Sequence, residues 1–251
     1  MSTARPLAVV TGAGKRLGLA IAQALAANGW EVAALVRTAS PALTALAASS
    51  QRVQIIEQDI ADPAVWWNLW PRLREQYRYL PDALVHAASQ FEYDTAASSG
   101  WAAIESHRRI NYDSFVAAAS AWLQCADANQ RGAFVALVDQ KVLRLNPDHY
   151  AYTLSKLSLA ASIPFLAQAL APQLRVNGVA PGLTLPSGGQ TDAEFDAAQA
   201  AFPLGGGLAP GDIASAVLFL LQQPWITGQL LTVDGGQHLQ SDCDVVLRPQ
   251  R

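Results

Sequence analysis

Short, mostly apolar runs alternate with helically spaced ones along this chain, and that alternation leaves few architectures open. Residues 6–10, 31–36, 53–56, 83–85, 134–138, 175–179 and 229–233 have the length and apolar content of strands buried on both faces. Between them, apolar positions recur at helical intervals over 19–28, 63–79, 101–128, 149–171 and 212–222. This order predicts an α/β fold, a doubly wound parallel sheet of about seven strands with helices on both faces and right-handed crossovers. Residues 1–251 are expected to form one domain.

Composition narrows the partners. Half of the 251 residues are apolar, enough for a large core, and the net charge of −3 comes without any block of like charges. No basic footprint for nucleic acid or an anionic membrane is present. Two cysteines, Cys125 and Cys243, make no disulfide framework. No apolar run is long enough to span a bilayer, and residues 1–14 run straight into a glycine-bearing turn, unlike a secretion or transit signal. The expectation is a cytoplasmic protein whose partner is a small molecule or another copy of itself.

The first strand leads into Thr11-Gly12-Ala13-Gly14-Lys15-Arg16-Leu17-Gly18 and then a helix. Such a connection offers free backbone N–H groups and the positive end of a helix to a phosphate, with Gly12, Gly14 and Gly18 allowing a tight turn. Its place at the start of the alternating pattern points to a dinucleotide. After the second strand, where an acidic residue would accept from the ribose 2′-hydroxyl of NAD, stand Arg37, Thr38 and Ser40. A cation with two hydroxyls suits a 2′-phosphate and favours NADPH; the alternative is a solvated loop arginine.

Further along, Trp66 and Trp70 share a helical face from which Trp67 turns aside, a pattern of core plus interface. Small residues in His86-Ala87-Ala88-Ser89-Gln90-Phe91 let backbone approach a cofactor. Asn111 lies mid-helix, either exposed or bonded to something specific. Asp139 stands at the carboxyl end of the fifth strand, as a site residue or a turn former.

Tyr152 and Lys156 lie one turn apart on the following helix, close enough to share a site. The ammonium is expected to lower the phenol pKa towards working pH, which would make the tyrosine a general acid or base; a chance pair on a helix surface is the alternative. Pro164 predicts a bend near Ala160. Pro181-Gly182-Leu183-Thr184 forms a turn at the sheet's carboxyl end, followed by a glycine-rich lid at about 183–208, and residues 240–251 are a polar tail.

In order and spacing, Thr11-Gly12 to Gly18, Asp59-Ile60, Asn111, Tyr152-x-x-x-Lys156, Pro181-Gly182 and Ile226-Thr227-Gly228-Gln229 to Val233-Asp234-Gly235-Gly236 resemble the short-chain dehydrogenase/reductases. The resemblance covers nearly the whole chain and implies a Rossmann-like sheet. Arg16 replaces the middle glycine of the opening turn, and Asp139 stands where a serine usually polarises a carbonyl. Both changes are typical of pteridine reductases and dihydromonapterin reductases, which the segment from Val138 to Lys156 resembles most.

That resemblance implies roles. Tyr152 would be the acid/base, Lys156 the holder of the nicotinamide ribose, Asn111 the anchor of a water in the proton path, and Asp139 the group facing the pterin. NADP(H) would lie against Gly12, Arg16, Leu17, Gly18, Arg37, Thr38, Asp59, Ile60, Ala87, Ala88, Lys156, Pro181, Gly182 and Thr184. Substrate would meet Ser89, Phe91, Asp139 and Tyr152, with Phe91 stacking on the pterin ring. No metal is implied, and the assembly would be a tetramer or dimer.

The expected reaction is NADPH-dependent reduction of a dihydropterin to its tetrahydro form. Alternatives are reduction of another carbonyl or imine, and a non-catalytic NADP-binding sensor. The last is favoured by Ala87, where the family has a structural asparagine, and by Pro164. His86 is expected to pack rather than to catalyse.

Overall fold

The structure is a computed structural model, and it describes residues 5–187 and 189–240. The polar tail from residue 241 on, with Cys243, and Gly188 of the lid lie outside the described residues.

Seven strands, β1 (Leu7–Thr11), β2 (Glu31–Val36), β3 (Val53–Glu57), β4 (Ala83–His86), β5 (Gly132–Leu137), β6 (Leu174–Pro181) and β7 (Leu230–Val233), form one sheet. Their order is β3-β2-β1-β4-β5-β6-β7 and every pairing is parallel. The fold is therefore the expected Rossmann-like α/β sheet.

Alternation along each strand builds two separate core layers. Leu7 and Val9 of β1 and Phe134 and Ala136 of β5 enter one layer, whereas Ala8, Val10, Ala133 and Val135 enter the other. The first layer is closed by α3 (Trp66–Tyr77), α5 (Ser114–Cys125) and α6 (Tyr150–Leu170), the second by α1 (Arg16–Ala27) and α8 (Pro210–Gln222). Trp66, Trp70 and Trp122 fill the first layer, and each buried indole N–H has an acceptor: Ser114 Oγ, the Ala118 carbonyl and the Pro81 carbonyl, all at 2.9 Å. Trp67 turns outward as expected and bonds Gln124.

Several details depart from the sequence expectations. Helix α2 (Pro41–Ser49) was not anticipated; Ser40 caps it and Pro41 opens it. The expected long helix over 101–128 is instead α4 (Trp101–Arg108), a π turn over Arg109–Asp113, and α5. Asn111 sits in that π turn, fully buried and bonded to neighbouring segments, which is the reason the regular ladder gives way there. The short acidic helical piece that the sequence does place in the lid is α7 (Asp192–Ala200), held by a Thr191/Glu194 capping box. Pro164 lies inside α6, which is assigned as one helix from Tyr150 to Leu170.

Candidate active site

The strands deliver their carboxyl ends to one edge of the sheet, where chain order reverses between β1 and β4. Open parallel sheets place their ligand crevice at such a point. Here the crevice is a cavity of about 550 Å³. Its lining includes most of the expected residues: Gly12, Arg16, Leu17, Gly18, Ala87, Ala88, Ser89, Phe91, Asp139, Tyr152, Lys156, Pro181, Gly182 and Thr184.

Five expected residues lie off that lining. Arg37 and Thr38 are exposed beyond β2, Asp59 accepts from the Ala61 amide in its own loop, and Ile60 belongs to the core. Asn111 sits behind the wall. Its Oδ1 accepts from Gln90 N at 2.8 Å, and its Nδ2 donates to the Gln90 carbonyl and to Ser155 Oγ. It thus ties the 89–94 loop to α6. Other lining residues carry no site role in the sequence reading, among them Lys15, Gln140, Lys141, His149, Gln190 and Gln237. His149 carries no periodic signal of its own, since it stands just before α6 and outside its helical repeat.

The wall of β1 and α1 fits a phosphate. A Cβ on Gly12 would lie 2.7 Å from Ala88 Cα, and one on Gly18 would lie 2.2 Å from the Gly12 carbonyl oxygen, so both positions require glycine. Helix α1 opens at the cleft with no side chain capping its first N–H groups, and Lys15 and Arg16 flank that end. Free amides, a positive helix end and two cations suit a dinucleotide pyrophosphate. Thr11 holds the opposite lip, its Oγ1 accepting from Ala87 N and Ala88 N. Ala87 therefore joins this network through its backbone, without the family's asparagine side chain.

Arg16 adopts φ +52°, the left-handed region that glycine would occupy without strain. Its guanidinium crosses the cleft to donate to the Pro186 carbonyl at 2.8 Å and the Leu185 carbonyl at 3.4 Å. The substitution noted in the sequence thus costs backbone strain and supplies a link to the lid.

At the deep end, the Tyr152 hydroxyl donates to Asp139 Oδ2 at 2.6 Å, while the Lys141 amide donates to Asp139 Oδ1 at 2.8 Å. Burial pushes the Asp139 pKa up, against the hydrogen bonds from Tyr152 and Lys141 and the charges of Lys156 and Lys141. Lys141 itself is buried and forms an ion pair with the partly buried Asp148.

The expected lowering of the Tyr152 pKa is corrected by this geometry. Burial raises it well above the ordinary phenol value, reinforced by the Asp139 charge and by the hydrogen bond given to it. Lys156 Nζ lies 5.6 Å from the centre of the Tyr152 ring and donates one of its three N–H groups to the Leu137 carbonyl at 2.7 Å. Burial lowers the Lys156 pKa to about 8, opposed by Asp139.

His86 is fully buried between Thr11 Oγ1 at 3.2 Å and the Ile110 carbonyl at 3.0 Å. Burial first, then Lys156, holds its pKa down at about 3, so it is a neutral packing residue, as expected.

A seven-stranded sheet in this order, with a glycine turn at its switch point and a Tyr/Lys pair facing a carboxyl group, defines an oxidoreductase of the Rossmann type. A family model described as enoyl-(acyl carrier protein) reductase matches residues 12–238, and the chain belongs to the short-chain dehydrogenase/reductase family. Two solved structures are similar along almost their whole length. The FolM alternative dihydrofolate reductase 1 of Brucella canis, complexed with NADP, is 29% identical with a TM-score of 0.87, covering 95% of this chain and 96% of that one. Its Brucella suis counterpart, also with NADP, is 30% identical with a TM-score of 0.88, covering 98% and 100%. A 1,2-dihydroxy-1,2-dihydronaphthalene dehydrogenase from Ralstonia sp. is 28% identical over 250 residues, 92% of this chain and 96% of that protein.

Proposed function

We propose that this chain is an NADPH-dependent reductase converting a dihydropterin, of the dihydromonapterin, dihydrobiopterin or dihydrofolate type, to the tetrahydro form. The observation that carries the reading is the hydrogen bond between Tyr152 and Asp139 at the deep end of the cleft. The NADP-complexed Brucella structures support both the cofactor and the substrate class. In the same reading the protein is cytoplasmic and a homo-oligomer, dimer or tetramer.

When bound, the reduced nicotinamide supplies hydride to the carbon of a ring C=N. The free α1 N-terminus, Lys15 and Arg16 hold the pyrophosphate in this reading, while Lys156 serves the ribose and Arg37 with Thr38 the 2′-phosphate. Reduction also needs a proton at the imine nitrogen, and the Tyr152 hydroxyl is the donor. A phenol with so high a pKa gives up its proton only when the base formed is stronger or the proton is replaced. Asp139 is placed to meet that need: its carboxyl, whose pKa burial raises, shares a hydrogen bond with the phenol oxygen along which a proton can be returned to Tyr152. A serine hydroxyl in its place could orient a ketone but could not restock the proton. Phe91 provides an apolar, partly exposed ring at the cleft wall for a flat heteroaromatic.

A second reading, reduction of some other carbonyl or imine or the reverse oxidation of an alcohol, draws on the relative named for a dihydrodiol of naphthalene. Turnover of NADPH with dihydropterins against a panel of ketones separates the two. Dihydropterin turnover well above that of every ketone supports the proposal, and turnover with ketones alone overturns it.

A further inference from the structure

His149 carries three costs at once. It adopts φ +47°, it occupies the N-cap of α6 without offering a capping bond, and its imidazole is buried. The Asp94 carboxylate caps the helix in its place, accepting from Ala151 N. The imidazole turns to the cleft wall instead. Nδ1 donates to the Glu92 carbonyl at 2.8 Å, and the ring stacks on Phe91 with centroids 4.1 Å apart and planes within 13°. Tyr93 meets the imidazole edge-on at 5.4 Å, and Phe91 meets Tyr152 edge-on at 4.7 Å. A backbone outlier that persists because neighbours hold it is a pointer to function, and here what it holds is the ring of Phe91.

We propose that His149 is a positioning residue for substrate specificity, which fixes Phe91 as the wall of the cleft against which a flat heteroaromatic substrate lies. The inference rests on the flat-substrate reading above. A phenylalanine that is 44% exposed on a loop would sample several rotamers, and each one lost on binding weakens affinity. The stack and the tether to Glu92 remove that freedom beforehand. The residue acts on binding of the ring and leaves the proton chemistry of Tyr152 to Asp139.

His149→Asn is the discriminating variant, because asparagine tolerates the left-handed backbone and can still donate to Glu92 while the ring is lost. His149→Phe restores a ring that can stack. Each is assayed for KM and kcat with a dihydropterin, for Kd of a 2,4-diaminopteridine on the NADP-loaded enzyme, for Kd of NADPH, and for melting temperature. The asparagine variant is expected to raise KM and the diaminopteridine Kd about five- to tenfold, with kcat changed far less and NADPH affinity unmoved. The phenylalanine variant is expected to recover most of that loss. Unchanged KM and diaminopteridine Kd in the asparagine variant, or a loss confined to kcat, would overturn the role of His149 while leaving the pterin reading intact. A wild-type enzyme that neither turns over dihydropterin nor binds the diaminopteridine would overturn the pterin reading, and this inference with it.

Discussion

Tyr152 and Asp139 are joined by one 2.6 Å hydrogen bond from phenol to carboxylate, and ionising either one bears on the other. Two of the three causes that raise the Tyr152 pKa come from Asp139. Asp139→Asn should therefore bring the tyrosine pKa down, read as tyrosinate absorbance appearing at lower pH than in the wild type. Tyr152→Phe should lower turnover at least about a hundredfold with NADPH affinity nearly unchanged, since the phenol acts on the proton and not on binding.

Arg16→Gly separates two effects of one residue. Glycine accepts φ +52° freely, so unfolding should become harder by up to about 1 kcal/mol. The guanidinium bonds to Pro186 and Leu185 are lost at the same time. Limited proteolysis should then cut near residues 185–190 faster, even though the melting temperature does not fall.

His86 predicts an acid limb in stability. Its folded pKa of about 3 lies below the unfolded value near 6.5, so between those values the unfolded chain binds a proton that the folded chain refuses. Its contribution is complete above about pH 6.5 and declines as pH falls towards 3, by about 2 kcal/mol at pH 5. His86→Asn keeps a donor and an acceptor without a titrating group, and its urea midpoint should fall less between pH 7 and 5.

Arg37→Asp should shift cofactor preference towards NADH, because a carboxylate there repels a 2′-phosphate and accepts from a 2′-hydroxyl. The ratio of kcat/KM for the two cofactors is the measurement, and an unchanged ratio would place the 2′-phosphate elsewhere, with Lys15 one of the cations already on the lining.

Lys141→Met should cost about 1–2 kcal/mol, since it leaves the partly buried Asp148 carboxylate without its cation. Adding Asp148→Asn should recover most of that loss in the urea midpoint, the signature of a coupled pair.

The sheet was legible because its strands are brief apolar runs between helical ones, and β2 falls on residues 31–36 as expected. Helix α2 escaped notice because its apolar and small residues show little face preference; the Ser40-Pro41 start was its one local signal. The π turn could not be read from local sequence, because Asn111 is fixed by Gln90 and Ser155, which are distant in the chain. Spacing brought Tyr152 and Lys156 together correctly but said nothing of the Leu137 carbonyl to which the ammonium donates. Lys141 and His149 reach the cleft through connecting segments, whose paths depend on tertiary contacts and carry no periodic signal.

The attachment of Gln90, Glu92 and Asp94 to Asn111, His149 and Ala151 makes the cleft asymmetric. One jaw is stapled at every second residue to the framework that carries Tyr152, while the opposite jaw meets the glycine turn through Arg16. Substitutions in the 183–187 segment are therefore expected to alter ligand release with less effect on the chemistry than substitutions in the aromatic wall.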